Sequence, residues 1–535
     1  MSGSDASVVG ERVVPTWARR LHPRMAEALR WAALLLVSWV ILRPALIVTI
    51  SLDDFINPFS LLERYGPSPF EMVPEISRDL TRNGHFNYLG QNVGSAIYVM
   101  WAYLISWGVR YSLIYATTKF VVFMVTALVV ARLLRTLAAL LGRTIPVWHS
   151  RALVSVVLFS TLQLHVAWGL DPVGSFPLFG YLPAAVGLLA LDFAIRAAQA
   201  DDRRSLVVAA VWMCVAVQHY ELNVVMVAAL VPAALVVWRS RTLREPGASR
   251  RAYIMRLAII VGPCLLMVAV LSRIAAAANR GYTGTDVAVG DDTVHVLVRA
   301  LAGSLPGSAW SVARDWLAQP VGLFSTTVVA FVLVAAVVLA WRHLVEVEPA
   351  GNRPRRSRAE QATQRRWLDL AAILACPATV WVGATAVQAV TAKVRSETPR
   401  VGYVYTYYAY GSIGVVLIGL LVVFAVGGGA PSRRPPRLLV GARPVLVALT
   451  LAFVLVQSAI NDNVQRVFDQ RLAANSAVLV AFTDEPPETV RCAVLQAWND
   501  LPFWLAYYRR DFINGINVSY EHFNGEPFCS TISGG

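Results

Sequence analysis

Two carboxylates stand side by side, Asp53 and Asp54, immediately after the first long apolar segment, in SLDDFINPF. Adjacent carboxylates repel one another, so at least one is driven toward its neutral form unless a cation, a metal or a hydrogen-bond donor offsets the charge. A carboxylate tuned in that way suits general-base work, taking a proton from a hydroxyl as it attacks. Its neighbour would then orient the incoming group or hold a divalent cation. The plainer role for the same dipeptide is to cap the N-terminus of a following helix.

Other groups able to bind or react are gathered in a few segments. The stretch after the pair, about 52–111, continues through Glu63, Arg64, Glu71, Glu75, Arg78, Asp79, Arg82 and His85. A later one carries Arg280, Tyr282, Asp286, Asp291, Asp292, His295 and Arg299, and TVHVLVRALAGSL at 293–305 within it reads as a helix lying on a membrane surface. A third, TAKVRSETPRVGYVYTYYAYG, sets Lys393, Arg395 and Arg400 ahead of Tyr403, Tyr405, Tyr407, Tyr408 and Tyr410. A guanidinium fork pairs with two phosphate oxygens at once, and a tyrosine face accepts a cation or a sugar ring. Arg280, Arg299, Lys393, Arg395, Arg400, Tyr403 and Tyr405 are therefore candidates to bind a phosphorylated ligand; the competing role is an aromatic belt with snorkelling basic side chains. The short turn Gln218-His219-Tyr220-Glu221 adds His219 and Glu221, which a turn of that length holds near the membrane, and Asp171 in GLDPVGSF is a weaker candidate.

The elements that must position these residues are membrane helices. The chain has 535 residues, 56% hydrophobic and only 15% charged, with a mean hydropathy of +0.55. That is too apolar for a water-soluble protein of this length. Apolar stretches fall at about 31–51, 112–131, 152–168, 175–195, 205–218, 222–238, 257–276, 322–341, 367–387, 411–427 and 444–460, so the expectation is an all-α polytopic protein of about eleven transmembrane helices. The first is preceded by some thirty polar residues and lacks a small-residue cleavage site, which argues for a retained helix rather than a signal peptide. Arg43 lies inside it and is expected to face other helices, because lipid solvates a cation poorly.

Charge then orients the bundle. With residues 1–30 taken as a cytoplasmic tail, the tail and alternate loops hold 29 of the 47 basic residues, and the other loops hold 15 over a greater length. The positive-inside rule thus places 52–111 and the C-terminal residues 461–535 on the extracytoplasmic side of a bacterial inner membrane. The apolar stretch 95–109 would reverse everything downstream if it crossed, so it is expected to lie on the surface or re-enter. The net charge of +14 is spread over these loops rather than gathered in one patch, and no nucleic-acid partner follows from it. All but two of the basic residues are Arg; the lysines are Lys119 and Lys393.

An acidic pair directly after the first membrane helix, opening a long outer segment that continues as RDLTRNGHFNYLGQNVG at 78–94, resembles the GT-C superfamily of membrane-embedded glycosyltransferases. The resemblance covers the first hundred residues by motif and the remainder by architecture. It implies transfer of a sugar, with inversion, from a polyprenyl-phosphate donor in the membrane to a cell-envelope glycan or glycolipid outside it. The catalytic base would be Asp53 or Asp54, with a divalent cation as a possible cofactor. Two rivals stand beside it: a transporter or flippase of lipid-linked intermediates, and an envelope polysaccharide polymerase or ligase working through Arg and His.

Cysteine usage agrees with the topology. Cys214, Cys264 and Cys376 fall in apolar segments, whereas Cys492 and Cys529 share the C-terminal region, where an extracytoplasmic location lets a disulfide persist and staple about 75 residues. Neither the spacing nor the neighbours of these cysteines suggest zinc.

Overall fold

A long run of apolar residues has one way to satisfy its backbone N–H and C=O groups in lipid, which is to bond them within the segment as a helix. The computed structural model describes residues 23–47, 52–165, 171–200, 202–244, 249–310, 359–398, 400–427, 453–465, 469–501 and 506–533. Among them the regular structure is helical, apart from one isolated bridge between Val287 and Thr391.

Helix α1 (Pro23–Ile47) is followed not by an open loop but by three helices, α2 (Leu52–Tyr65), α3 (Pro69–Arg82) and α4 (Tyr88–Ser106). The bundle continues with α5 (Tyr111–Leu140), α6 (Val147–Thr161), α7 (Tyr181–Gln199), α8 (Arg203–His219), α9 (Val225–Arg244) and α10 (Arg250–Ala278). A single 3-10 turn, Glu221–Val224, joins α8 to α9 where the sequence suggests a tight turn. Then come α11 (Thr293–Gly303), α12 (Ala359–Ala389), the short α13 (Ala392–Glu397), α14 (Tyr407–Gly427), α15 (Asp469–Asp484), α16 (Glu488–Asn499) and α17 (Ala506–Asn524).

Seven helices among the described residues are long and apolar enough to cross a membrane: α1, α5, α7, α9 with its preceding turn, α10, α12 and α14. Of the eleven segments expected, those at 152–168 and 205–218 correspond to α6 and α8, which are apolar but only 15 and 17 residues long. The segment 322–341 and most of 444–460 lie outside the described residues. The architecture is that of an all-α, multi-pass membrane protein.

Helix α4 takes up the ambiguous stretch 95–109. Its first turns mix Gly90, Gln91 and Asn92 with apolar residues, and it buries one stripe, Ser95, Tyr98, Val99, Trp101, Ala102 and Ile105, against α2, α3, α5 and α8. Gly90 permits the last of these contacts, since a Cβ there would stand 1.7 Å from the His219 carbonyl oxygen. Arg43 departs from expectation. Its side chain is exposed on α1 rather than turned to other helices. It sits a turn from the helix end, from where a long stem can carry the guanidinium toward a polar boundary.

Helix α2 is the pivot of the fold. Phe55, Ile56, Phe59 and Leu62 recur at helical spacing and are all buried. Their partners include the C-terminal region, which packs directly on α2. Phe55 lies 4.7 Å from Phe512 and Phe59 lies 5.5 Å from Phe482, centroid to centroid. Trp498 completes the cluster, 4.3 Å from Phe512. Cys492 and Cys529 are joined, with Cα atoms 5.0 Å apart.

Candidate functional site

The two aspartates fall in the first turn of α2, where the helix dipole favours negative charge, yet neither behaves as a simple cap. Successive helical positions point about 100° apart, so the pair must look into different surroundings.

Asp54 looks inward and is fully buried. Its Oδ1 accepts from the Tyr98 hydroxyl on α4, and its Oδ2 accepts from the Tyr115 hydroxyl on α5 at 2.5 Å and from the Phe176 N–H at 2.7 Å. Phe176 presents that N–H from a left-handed conformation, φ 52°, uncommon for an aromatic residue. Tyr111 donates to the Asp54 backbone carbonyl at 3.1 Å. Burial pushes the Asp54 carboxyl up, with the Tyr115, Tyr98 and Phe176 donors and the Lys119 charge acting in the other direction.

Lys119 is the cation beneath this arrangement. It is fully buried, donates to the carbonyls of Ala45 and Gly174, and lies within electrostatic reach of both Asp54 and Asp171. Asp171 in turn accepts from His165 Nδ1 at 2.9 Å and from the backbone N–H of Gly174 at 3.1 Å, which folds the segment 171–176 over the lysine. Buried charges persist where they are paired and hydrogen-bonded, and this cluster is both.

Asp53 looks the other way. It is half-buried. Burial, reinforced by Asp54, raises its carboxyl from 3.8 to about 6, against a hydrogen bond from Tyr508 on α17 and the charge of Lys393 on α13. Lys393 is held by Tyr405, whose ring centroid is 5.1 Å from Nζ, and by Tyr282, whose hydroxyl is 3.4 Å away. Burial works against the Lys393 ammonium, yet Tyr405, Tyr282 and Glu397 together keep it above the usual lysine range. Glu397 is a third carboxyl at this place. Burial pushes it up, Lys393 opposes that and Asp53 adds to it, and its Oε2 is buried without a hydrogen-bond partner among the described residues.

The contacts continue through Tyr282 to His85, whose ring is 5.4 Å from the tyrosine ring. His85 Nδ1 lies 3.1 Å from Glu221 Oε2, and the other oxygen of Glu221 accepts from the Phe86 N–H. Five of the expected residues, Asp53, Lys393, Tyr405, His85 and Glu221, are thus assembled from four separate parts of the chain.

Others expected to bind ligand are engaged elsewhere. Arg395 pairs with Asp292 and donates to the Ala288 carbonyl, tying the 286–292 segment to α13. Arg400 is exposed with its guanidinium 5.3 Å from the Tyr403 ring, the two stacked on one another instead of facing Asp53. Arg299 is half-buried on α11 beside Tyr407. His219 is buried at the end of α8, where its backbone packs against Gly90. Arg280 is exposed and borders a cleft shared with Arg82 and Arg64.

Sequence reasoning missed the enclosure of Asp54. Its signal was present: Tyr111, Tyr115 and Lys119 are spaced four apart and share one face of their helix. Tyr508 and Glu397 carried no such signal. The chain's two lysines are both found here, Lys119 within electrostatic reach of Asp54 and Lys393 of Asp53.

Among the described residues no group of three or more His, Cys, Asp and Glu could hold a metal ion. Three donors already engage the two oxygens of Asp54. No protein-family model, curated protein or solved structure matches the chain.

Proposed function

We propose that the protein is a membrane-embedded glycosyltransferase that moves a sugar from a polyprenyl-phosphate donor to a cell-envelope acceptor on the extracytoplasmic side, with Asp53 as its general base. The observation that carries this reading is the division of labour within the pair. Asp54 is fully buried with three donors on its two oxygens, while Asp53 is only half-buried, beside a cation, with its carboxyl raised to about 6. A base of that strength is largely ionised at neutral pH and still accepts a proton readily.

In the reaction, Asp53 takes the proton from an acceptor hydroxyl as its oxygen forms a bond to the anomeric carbon. The bond from that carbon to the phosphate oxygen breaks on the opposite face, and polyprenyl phosphate leaves with the electron pair, so the anomeric centre inverts. Lys393, fixed between Tyr405 and Tyr282, is the cation available to the phosphate charge, and the tyrosine faces offer stacking for the sugar. The Glu221–His85 pair lies beside Tyr282, where its polar atoms suit sugar hydroxyls.

The test is transfer from a radiolabelled polyprenyl-phosphate sugar by the purified protein in proteoliposomes. Asp53→Asn should lower the rate by about 10²- to 10⁴-fold, the usual worth of a general base. Full activity in that variant overturns the assignment.

One observation favours a transport reading. Lys119, Asp54, Asp171 and His165 form a charged cluster enclosed by the bundle, and such clusters line ion paths in transporters. Movement of a lipid-linked sugar across the bilayer without its consumption, lost on Lys119→Met, is the outcome that would select it.

A further inference from the structure

The stripe of α2 that begins with Asp53 continues, at helical spacing, through Asn57 and Leu61 to Arg64. Eleven residues at 1.5 Å each carry it about 16 Å along the helix. Asn57, Leu61 and Arg64 line a cleft of about 460 Å³ enclosed by α2, α3 and α4, a size within the range of small-ligand sites, about 300–1,000 Å³. Its rim holds three guanidiniums, Arg64, Arg82 and Arg280, against one carboxylate, Asp79.

That carboxylate is already committed. It accepts from the Tyr65 hydroxyl at 2.8 Å and lies 3.4 Å from Arg82. Arg64 has a single ion pair among the described residues, a long one to Asp511 at 3.8 Å, with Glu63 and Tyr65 also within its reach, and Arg280 has no ion pair among the described residues. The three guanidiniums of the cleft thus outnumber its one lining carboxylate.

Its lining sets polar side chains beside Leu61, Ile76 and Leu80. Ser95 on α4 is 1% exposed and its Oγ has no hydrogen-bond partner among the described residues. A buried hydroxyl without a partner is costly, and a ligand oxygen in the cleft would satisfy it. Gln91, Asn83 and Asn57 add amides that can both donate and accept, the capability that pairs with sugar hydroxyls. Tyr98 joins cleft and site: it lines the cleft while its hydroxyl holds Asp54.

We infer that this cleft seats the acceptor and that the acceptor is an anionic saccharide, its carboxylate or phosphodiester groups paired with Arg82, Arg280 and Arg64 while its reactive hydroxyl reaches Asp53 along the α2 stripe. The inference rests on the transferase reading and deepens it to a substrate class. Guanidiniums supply the charge selection, the amides and Ser95 the sugar selection, and the shared helix face the register between bound chain and base.

The experiment reads binding without transfer, so that either claim can fail alone. Tetragalacturonate, neutral maltotetraose and glycerophosphoglycerol, a phosphodiester headgroup without tails, are titrated into the purified full chain in detergent by calorimetry. Tetragalacturonate should bind at least tenfold more tightly than maltotetraose, weaken as salt rises, and bind Asp53→Asn as it binds the wild type. Arg280→Gln, an exposed substitution away from any packed core, should weaken it several-fold, and Arg82→Gln/Arg280→Gln at least tenfold, with unchanged thermal unfolding. Equal affinity for the neutral and acidic oligosaccharides overturns the inference, as does uronate binding indifferent to both arginine variants. No binding at millimolar concentration, or binding of the headgroup alone, which marks a lipid site, overturns it too.

Discussion

Replacing Asp54 by Asn tests whether the two aspartates have different duties. The carboxylate receives Tyr98 on one oxygen and Tyr115 and Phe176 on the other, with Lys119 within electrostatic reach. Asparagine keeps one acceptor oxygen. If that oxygen serves Tyr115 and Phe176, its amide N–H group confronts the Tyr98 hydroxyl, and one hydrogen bond to a charged group is lost, about 1.5–3 kcal/mol. Lys119 also loses one of its two anionic neighbours, and breaking a buried pair costs about 3–5 kcal/mol when no other partner remains. Asp171 does remain. The two penalties describe one missing charge and overlap, so the expected loss is on the order of 3 kcal/mol. Asp53→Asn should be neutral or slightly stabilising, because it removes a half-buried charge that Asp54 repels. Chemical unfolding in mixed micelles, followed by tryptophan fluorescence and paired with a thermal scan, measures both. An Asp54→Asn protein as stable as wild type, or an Asp53→Asn protein that loses as much as its neighbour, would refute the division of roles.

Other consequences are equally open to measurement. The Asp53 carboxyl is raised in the fold from 3.8 to about 6, so its protonated form is the one the fold favours: this stabilisation is complete below pH 3.8 and is lost as pH rises through about 6. If Asp53 is the base of the proposed transfer, the ionised form is the active one and the rate should rise over the same window, giving kcat/KM an acid limb near pH 6 that Asp53→Asn abolishes; a flat profile there contradicts the base assignment. Tyr508→Phe removes the donor that holds the Asp53 carboxyl down, and the acid limb should move to higher pH; an unmoved limb would separate Tyr508 from the site. Gly515→Ala would set a Cβ 2.7 Å from the Ser60 N and 2.8 Å from the Phe59 carbonyl carbon. Forcing α17 off α2 in this way should cost about 1–3 kcal/mol and lower transfer as well, and unchanged unfolding would show the junction to be looser than drawn. Cys492→Ser opens a disulfide spanning 37 residues and should lower stability by about 2–4 kcal/mol, with wild type responding to reductant by a matching shift in unfolding temperature.

The class of the molecule and its acidic pair are both readable from the amino-acid order alone. Helix in lipid is dictated locally, because each apolar segment must bond its own backbone, so the seven long spans lie close to where hydropathy alone puts them. The pair at Asp53 and Asp54 was legible for the same local reason, as two charges at the edge of a hydrophobic run. Which aspartate is enclosed and which is open was not legible, since adjacent residues on one helix differ only in what other helices bring to each side. That choice belongs to Tyr98, Tyr115, Phe176 and Lys119 on one face, and to Tyr508 and Lys393 on the other. Tyr508 reaches Asp53 from some 450 residues away because Gly515 lets α17 lie directly on α2. Arg395 and Lys393 show the same limit at short range: two residues apart on one six-residue helix, one is spent on Asp292 and the other lies within electrostatic reach of Asp53. Local periodicity fixes where a side chain points around its own axis, and only the packing of distant segments decides what it meets there.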